Sequence, residues 1–253
     1  MSLINRAIVI IKKEGFKKFL YRFYCFFNNR VNLFYSPIAI ARINKIKENF
    51  RKTQDLEKLV DETMNYYFIA PTQKKYEILN LLKLLKNKAP RIILEIGTAA
   101  GGTLFLFSQI GAYDAKIISI DLPRGPFGGG YSFWRVPIYK AFKKGKQKIY
   151  LLRKNSHKDE TLEEVRKILN GDQLDLLFID GDHSYEGVKK DFKMYSPLVR
   201  KGGIIAFHDI NPGLEEYGIL VPKFWSEIKD NFKYLEFIQN INQKGYGIGV
   251  IFK

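Results

Sequence analysis

Residues 174–210, LDLLFIDGDHSYEGVKKDFKMYSPLVRKGGIIAFHDI, concentrate the side chains best suited to chemistry. One apolar run, 176–179, ends in Asp180, Asp182 and His183, and a second, 204–207, ends in His208 and Asp209. Carboxylates can hold a divalent cation or orient an imidazole. An imidazole, with an ordinary pKa of about 6.5, can collect a proton near neutrality. Two of the chain's three histidines lie in this set. Between the runs is a helix-length segment closed by Gly202-Gly203, so the block predicts a βαβ unit with parallel strands. In open α/β sheets ligands bind outside the carboxyl ends of the strands. Three carboxylates and two imidazoles are therefore expected at one sheet edge.

Other elements must carry that edge. Alternating patterns predict strands at 91–96, 116–120, 148–152, 174–180 and 203–208, and helices at 101–110, 136–144, 159–169, 185–199 and 222–230. Two final runs, 233–239 and 245–252, predict a strand hairpin. Five βα repeats followed by a hairpin imply a mostly parallel sheet with one antiparallel member. Upstream, residues 55–90 predict a helical lead-in with apolar stripes at Leu56, Leu59, Val60, Met64 and at Ile78, Leu81, Leu82, Leu85. Pro71 separates the two stripes and Pro90 stops the second helix.

The first strand runs into Glu95-Ile96-Gly97-Thr98-Ala99-Ala100-Gly101-Gly102. Its glycines permit a tight turn and close backbone approach to a ligand at a helix N-terminus. No Lys follows, which excludes a GxxxxGK[ST] phosphate loop. Ala99 stands where GxGxxG needs its second glycine. The pattern is E-x-G-x-x-x-G. The second strand ends in Asp121, placed to accept hydrogen bonds from both hydroxyls of a ribose.

These motifs, with a seven-stranded sheet ending in a hairpin, resemble the class I S-adenosylmethionine-dependent methyltransferases. FIDGDHSYEGVKKDF with LVRKGGIIAFHD resembles more closely the cephalosporin hydroxylase-type and macrocin-type sugar O-methyltransferase group, over roughly residues 74–253. The resemblance implies a Rossmann-like α/β fold with an N-terminal helical extension. It implies that Glu95, Gly97 and Gly101 hold the methionine end of S-adenosylmethionine, that Asp121 takes the ribose, and that Asn155 and Ser156 meet the adenine. Asp180 borders the same donor. A divalent cation, Mg²⁺ or Mn²⁺, is implied at Asp180, His208 and Asp209, and a general base at His183. His208 replaces a family acid; magnesium prefers oxygen, and imidazole suits softer metals. Asp182 is expected to cap the following helix or to support the site. His157 either joins the site or caps a helix. The glycine- and aromatic-rich loop at 122–137 is expected to act as a lid or acceptor platform.

Net charge is +16, unevenly spread. Residues 1–54 hold twelve Lys/Arg against Glu14 and Glu48, a local charge of +10, interleaved with aromatics. This basic aromatic arm predicts contact with an anionic membrane surface, a helical cap on the domain, or, as the disfavoured reading, nucleic-acid binding. Its apolar runs are too short for a spanning helix or a signal peptide, so a cytoplasmic protein, peripheral at the inner membrane face, is expected. The single cysteine, Cys25, excludes an intrachain disulfide and sits among aromatics as a packing residue. The domain plan is thus an arm at 1–54, a lead-in at 55–90 and a methyltransferase domain at 91–253. The expected acceptor is a hydroxyl of a saccharide or other polyhydroxylated small molecule. The rival reading is a catalytically silent module that binds glycan or nucleic acid through the arm.

Overall fold

The computed structural model describes residues 36–253 except Pro126, Gly128 and Gly129. Residues 1–35 of the basic aromatic arm, with the helix-like spacing expected at Ile4, Ile8, Ile11 and at Phe19, Phe23, Phe26, and with Cys25, lie outside the described residues. The chain begins with helical residues 36–53 (α1), then α2 (Leu56–Met64) and α3 (Lys75–Lys86). The repeats follow: β1 (Ile92–Ile96), α4 (Gly102–Ile110), β2 (Lys116–Ile120), α5 (Val136–Lys140), β3 (Lys148–Leu152), α6 (Asp159–Leu169), β4 (Leu174–Ile179), α7 (Tyr185–Tyr195) and β5 (Val199–His208). The chain closes with α8 (Val221–Ile228), β6 (Lys233–Phe237) and β7 (Ile248–Phe252).

The seven strands form one sheet in the order β3-β2-β1-β4-β5-β7-β6. β7 runs antiparallel to both β5 and β6; the other pairings are parallel. The order reverses at β1, between β2 and β4, which opens a crevice at their carboxyl ends. Inner strands are apolar on both faces because both are covered. Ile93, Ile117, Leu176, Phe178 and Ile204 pack toward α1–α5. Leu94, Ile118, Leu177, Ile205 and Phe207 pack toward α6–α8.

Among the boundaries that differ from the sequence expectation, three are set by the local backbone. β5 begins at Val199, because the chain re-enters the ladder before Gly202-Gly203 through a register shift against Leu174/Leu176. α5 ends at Lys140 and continues as turn. β7 begins only at Ile248, since Gly245, Tyr246 and Gly247 all have positive φ (68°, 60° and 85°), which no strand accommodates. At the N-terminus, α1 places Ala39, Ile43, Ile46 and Phe50 in the same core as β1. Their 4-3-4 spacing is one helix face. The last third of the basic segment is therefore part of the domain's packing.

Candidate active site

The end of β1 and the end of β4 touch through backbone. Gly97 has φ +92°, and a Cβ there would lie 1.9 Å from the Asp180 carbonyl oxygen, so the position accepts only glycine. This close approach floors a cavity walled by Gly97, Ala99, Asp121, Leu122, Phe127, Asn155, Ser156, His157, Asp180 and Asp182. Asp121 is 8% exposed, and its Oδ2 accepts from the Ala99 backbone N–H at 2.9 Å. Burial raises its pKa, opposed by backbone N–H groups around it. Asn155 Oδ1 accepts from the His157 N–H at 2.8 Å, which tightens the loop after β3.

Of the residues expected around the donor, Gly97, Asp121, Asn155, Ser156 and Asp180 line this cavity, and Glu95 and Gly101 do not. Glu95 alternates onto the opposite face of β1 and is fully buried. There Oε1 accepts from the Thr103 hydroxyl at 2.5 Å, and Oε2 has no partner. Burial pushes its pKa up to about 8, against the lowering effect of Thr103. Gly101 is the left-handed residue before α4, and a Cβ there would meet the Tyr139 ring at 2.7 Å. Both residues shape the loop from behind.

Beside the cavity, at the ends of β4 and β5, lies the predicted acid–imidazole cluster. His183 Nδ1 is 2.8 Å from Asp209 Oδ2. His208 Nδ1 is 3.0 Å from Asp180 Oδ1 and 3.4 Å from Asp209 Oδ1. Asp209 itself has φ +60°, a conformation costly for a non-glycine residue and typical of functional sites. Burial disfavours charge on His183, but its Asp209 partner outweighs that and raises the pKa. For His208, burial is again outweighed, by the Asp180 and Asp209 carboxylates, which push it up to about 9. Phe127 spans the two regions: it lines the cavity and its ring is 5.1 Å from the His183 ring, edge to face.

The ligand atoms of Asp180, His183 and Asp209 lie within 4.8 Å of one another, a spacing that fits one cation. Asp180 and Asp209 are common to this group and to the expected set Asp180, His208 and Asp209. His208 sits behind the carboxylates as a hydrogen-bonding partner, 3% exposed, with Nε2 buried and unpartnered. Asp182 accepts from the Ser184 N–H at 3.0 Å and supports the turn into α7, whose cap is Ser184. In the 122–137 loop, Tyr131 is buried against the Tyr139 ring (4.9 Å), whereas Phe133 is exposed.

Two buried residues escaped the sequence reading. Gln73 donates from Nε2 to Asp180 Oδ2 at 2.7 Å, reaching the site from the lead-in. Its only sequence signal is a polar residue just after Pro71. Asp191, on α7, is fully buried and 3.3 Å from His157 Nε2. In sequence it is one charge among several in VKKDFK.

Residues 94–210 match a family model described as a methyltransferase domain. A Sinorhizobium fredii protein named only as uncharacterised is 29% identical over 170 residues, 64% of this chain and 17% of that protein. An uncharacterised Acanthamoeba polyphaga mimivirus protein is 31% identical over 134 residues, 53% of this chain and 58% of its own. The chain thus spans only part of the curated relatives it matches. The fold is shared with the O-methyltransferase TomG of Streptomyces achromogenes, solved with S-adenosylmethionine. The TM-score is 0.53 at 15% identity, covering 83% of this chain and 88% of that one.

Proposed function

We propose that this chain is a methyltransferase that transfers the methyl group of S-adenosylmethionine to a hydroxyl of a saccharide or other polyhydroxylated small molecule. The observation that carries the reading is a juxtaposition. A cavity with a ribose-type acid, Asp121, adjoins a His183–Asp209 pair across Phe127. Asp121 takes the ribose hydroxyls, Gly97 admits the donor backbone-close, and Asn155 and Ser156 face its base.

The transfer is a displacement. The acceptor oxygen forms a bond to the methyl carbon as the carbon–sulfur bond breaks, which leaves the neutral thioether of S-adenosylhomocysteine. The acceptor's proton passes to Nε2 of His183. Asp209, bonded at Nδ1, holds the ring in the required tautomer and stabilises the imidazolium. Asp180 and Asp209 are the oxygen donors that would hold a divalent cation, with Gln73 fixing the free oxygen of Asp180. When bound, such a cation lowers the pKa of the acceptor hydroxyl and orients it.

The membrane-linked form of this reading draws on charge. Between Asp121 and Asp159 the chain has ten Lys/Arg and no acid. Lys47 of α1 donates to the carbonyls of Ala141 and Lys143 at 2.9 and 2.8 Å, so two basic segments share one side of the domain. Such a face suits an anionic membrane that carries a lipid-linked saccharide. No helix among the described residues is long and apolar enough to cross a membrane.

A screen of sugars and sugar nucleotides with methyl-labelled donor tests the function. Label transferred to a hydroxyl by the wild type and not by His183→Ala is the expected result. Donor binding without transfer to any acceptor, together with tight glycan or RNA binding, would favour a silent binding module.

A further inference from the structure

The loop after β3 is held from below by a buried acid that the proposed chemistry does not use. Asp191 is fully buried on α7, and only the His157 ring and the Ser156 hydroxyl approach its carboxylate as donors, neither in good alignment. Its one close charged neighbour is His157, whose Nε2 lies 3.3 Å from Oδ1. His157 is a wall residue of the donor cavity. Its neighbour Ser156, also in that wall, has its carbonyl held by the Tyr195 hydroxyl at 2.8 Å, again from α7. Thr161 adds a bond from its hydroxyl to the Asn155 carbonyl at 2.8 Å. Helix α7 thus holds residues 156 and 157, and α6 holds Asn155 through Thr161.

A buried carboxylate is costly unless it is paired. We propose that Asp191 and His157 share one proton as a buried latch, which fixes the 154–158 loop as a wall of the donor cavity and makes both positioning residues for S-adenosylmethionine. This rests on the donor reading of that cavity. The groups around the His157 ring agree with a retained proton. Asp191, by hydrogen bond and charge, and the more distant Asp182 favour the imidazolium, burial and Lys190 on α7 oppose it, and the balance raises the His157 pKa. Burial likewise raises the pKa of Asp191, with His157 and the Ser156 hydroxyl opposing. Loss of the shared proton leaves an uncompensated charge under the loop. Donor affinity conferred by the latch is therefore present at low pH and lost as pH rises through the raised His157 value.

The test is calorimetric titration of S-adenosylmethionine into wild type, Asp191→Asn and His157→Gln across pH 6–9. Imidazole NMR of the three histidines is followed in parallel, with His157 assigned from its variant. The expected results are a weakening of about tenfold or more in Asp191→Asn at pH 6.5, and a wild-type to His157→Gln affinity ratio that falls as pH rises. His157 should titrate above its ordinary value in wild type and lower in Asp191→Asn. Wild type that binds donor with the same affinity and pH profile as both variants would overturn the latch and leave the donor reading standing. No donor binding by wild type at any pH would overturn both. If Asp191→Asn fails to fold, the His157→Gln ratio and the wild-type His157 titration decide: a flat ratio, or titration at or below the ordinary value, overturns the proposal.

Discussion

His183 Nδ1 lies 2.8 Å from Asp209 Oδ2, and this contact joins the turn after β4 to the end of β5 across one strand interface. It leaves Nε2 as the ring's proton acceptor. Replacing His183 by alanine should lower methyl transfer by about 10²–10⁴. Donor affinity should stay within roughly twofold, since His183 lies outside the cavity wall. Steady-state rates with calorimetry on the same samples check this. An unchanged rate would move the base elsewhere.

The cation reading predicts a stability effect that needs no acceptor. Mg²⁺ or Mn²⁺ should raise the melting temperature of wild type by linkage, about 2.7 kcal/mol of stabilisation at a hundred times Kd. The same additions should leave Asp180→Asn unmoved. Equal shifts in the two proteins would place any bound ion away from Asp180.

Glu95 carries a pH prediction. Its folded pKa, about 8, is raised above the unfolded value by burial. The protonated acid is the form the fold favours. The penalty is therefore absent below the unfolded pKa, grows as pH rises from about 4.5, and levels off above pH 8. Glu95→Gln should thus match wild type near pH 4 and melt progressively higher than wild type between pH 5 and 8. Parallel melting curves across that window are the check; a constant difference would mean the two side chains differ only in packing.

Much of this was legible from the residues alone. The inner strands are short, doubly covered apolar runs, and the acids and imidazoles sit where such runs stop, so the mostly parallel sheet with its antiparallel end strand and the β4–β5 cluster followed from pattern, whereas the strand order did not. The stripe Ala39, Ile43, Ile46 and Phe50 was also present, but the basic residues around it masked a core-facing helix. Glu95 and His208 could not be oriented from sequence. Which face a strand-end residue takes is set by the pleat, and both point into protein rather than toward the ligand side. Gln73 and Asp191 matter through contacts 107 and 34 positions away in sequence, which no local pattern encodes.

The arm prediction follows from the same packing. Residues 1–35 hold seven Lys/Arg against Glu14 alone, whereas α1 belongs to the core. Removing residues 1–35 should leave donor binding intact and reduce co-sedimentation with anionic vesicles at low salt, each basic residue contributing about 1 kcal/mol near such a surface. The difference should vanish at high salt. Equal sedimentation of the two forms would confine any membrane contact to the folded domain.

Donor binding is measured by titrating S-adenosylmethionine into wild type and Asp121→Ala. Saturable one-site binding by wild type is predicted. Loss of the charge-assisted contacts of Asp121, worth about 1.5–3 kcal/mol per hydrogen bond, should weaken that binding roughly tenfold or more. Absence of binding by wild type, or equal affinity in the two proteins, would contradict the assignment of this cavity.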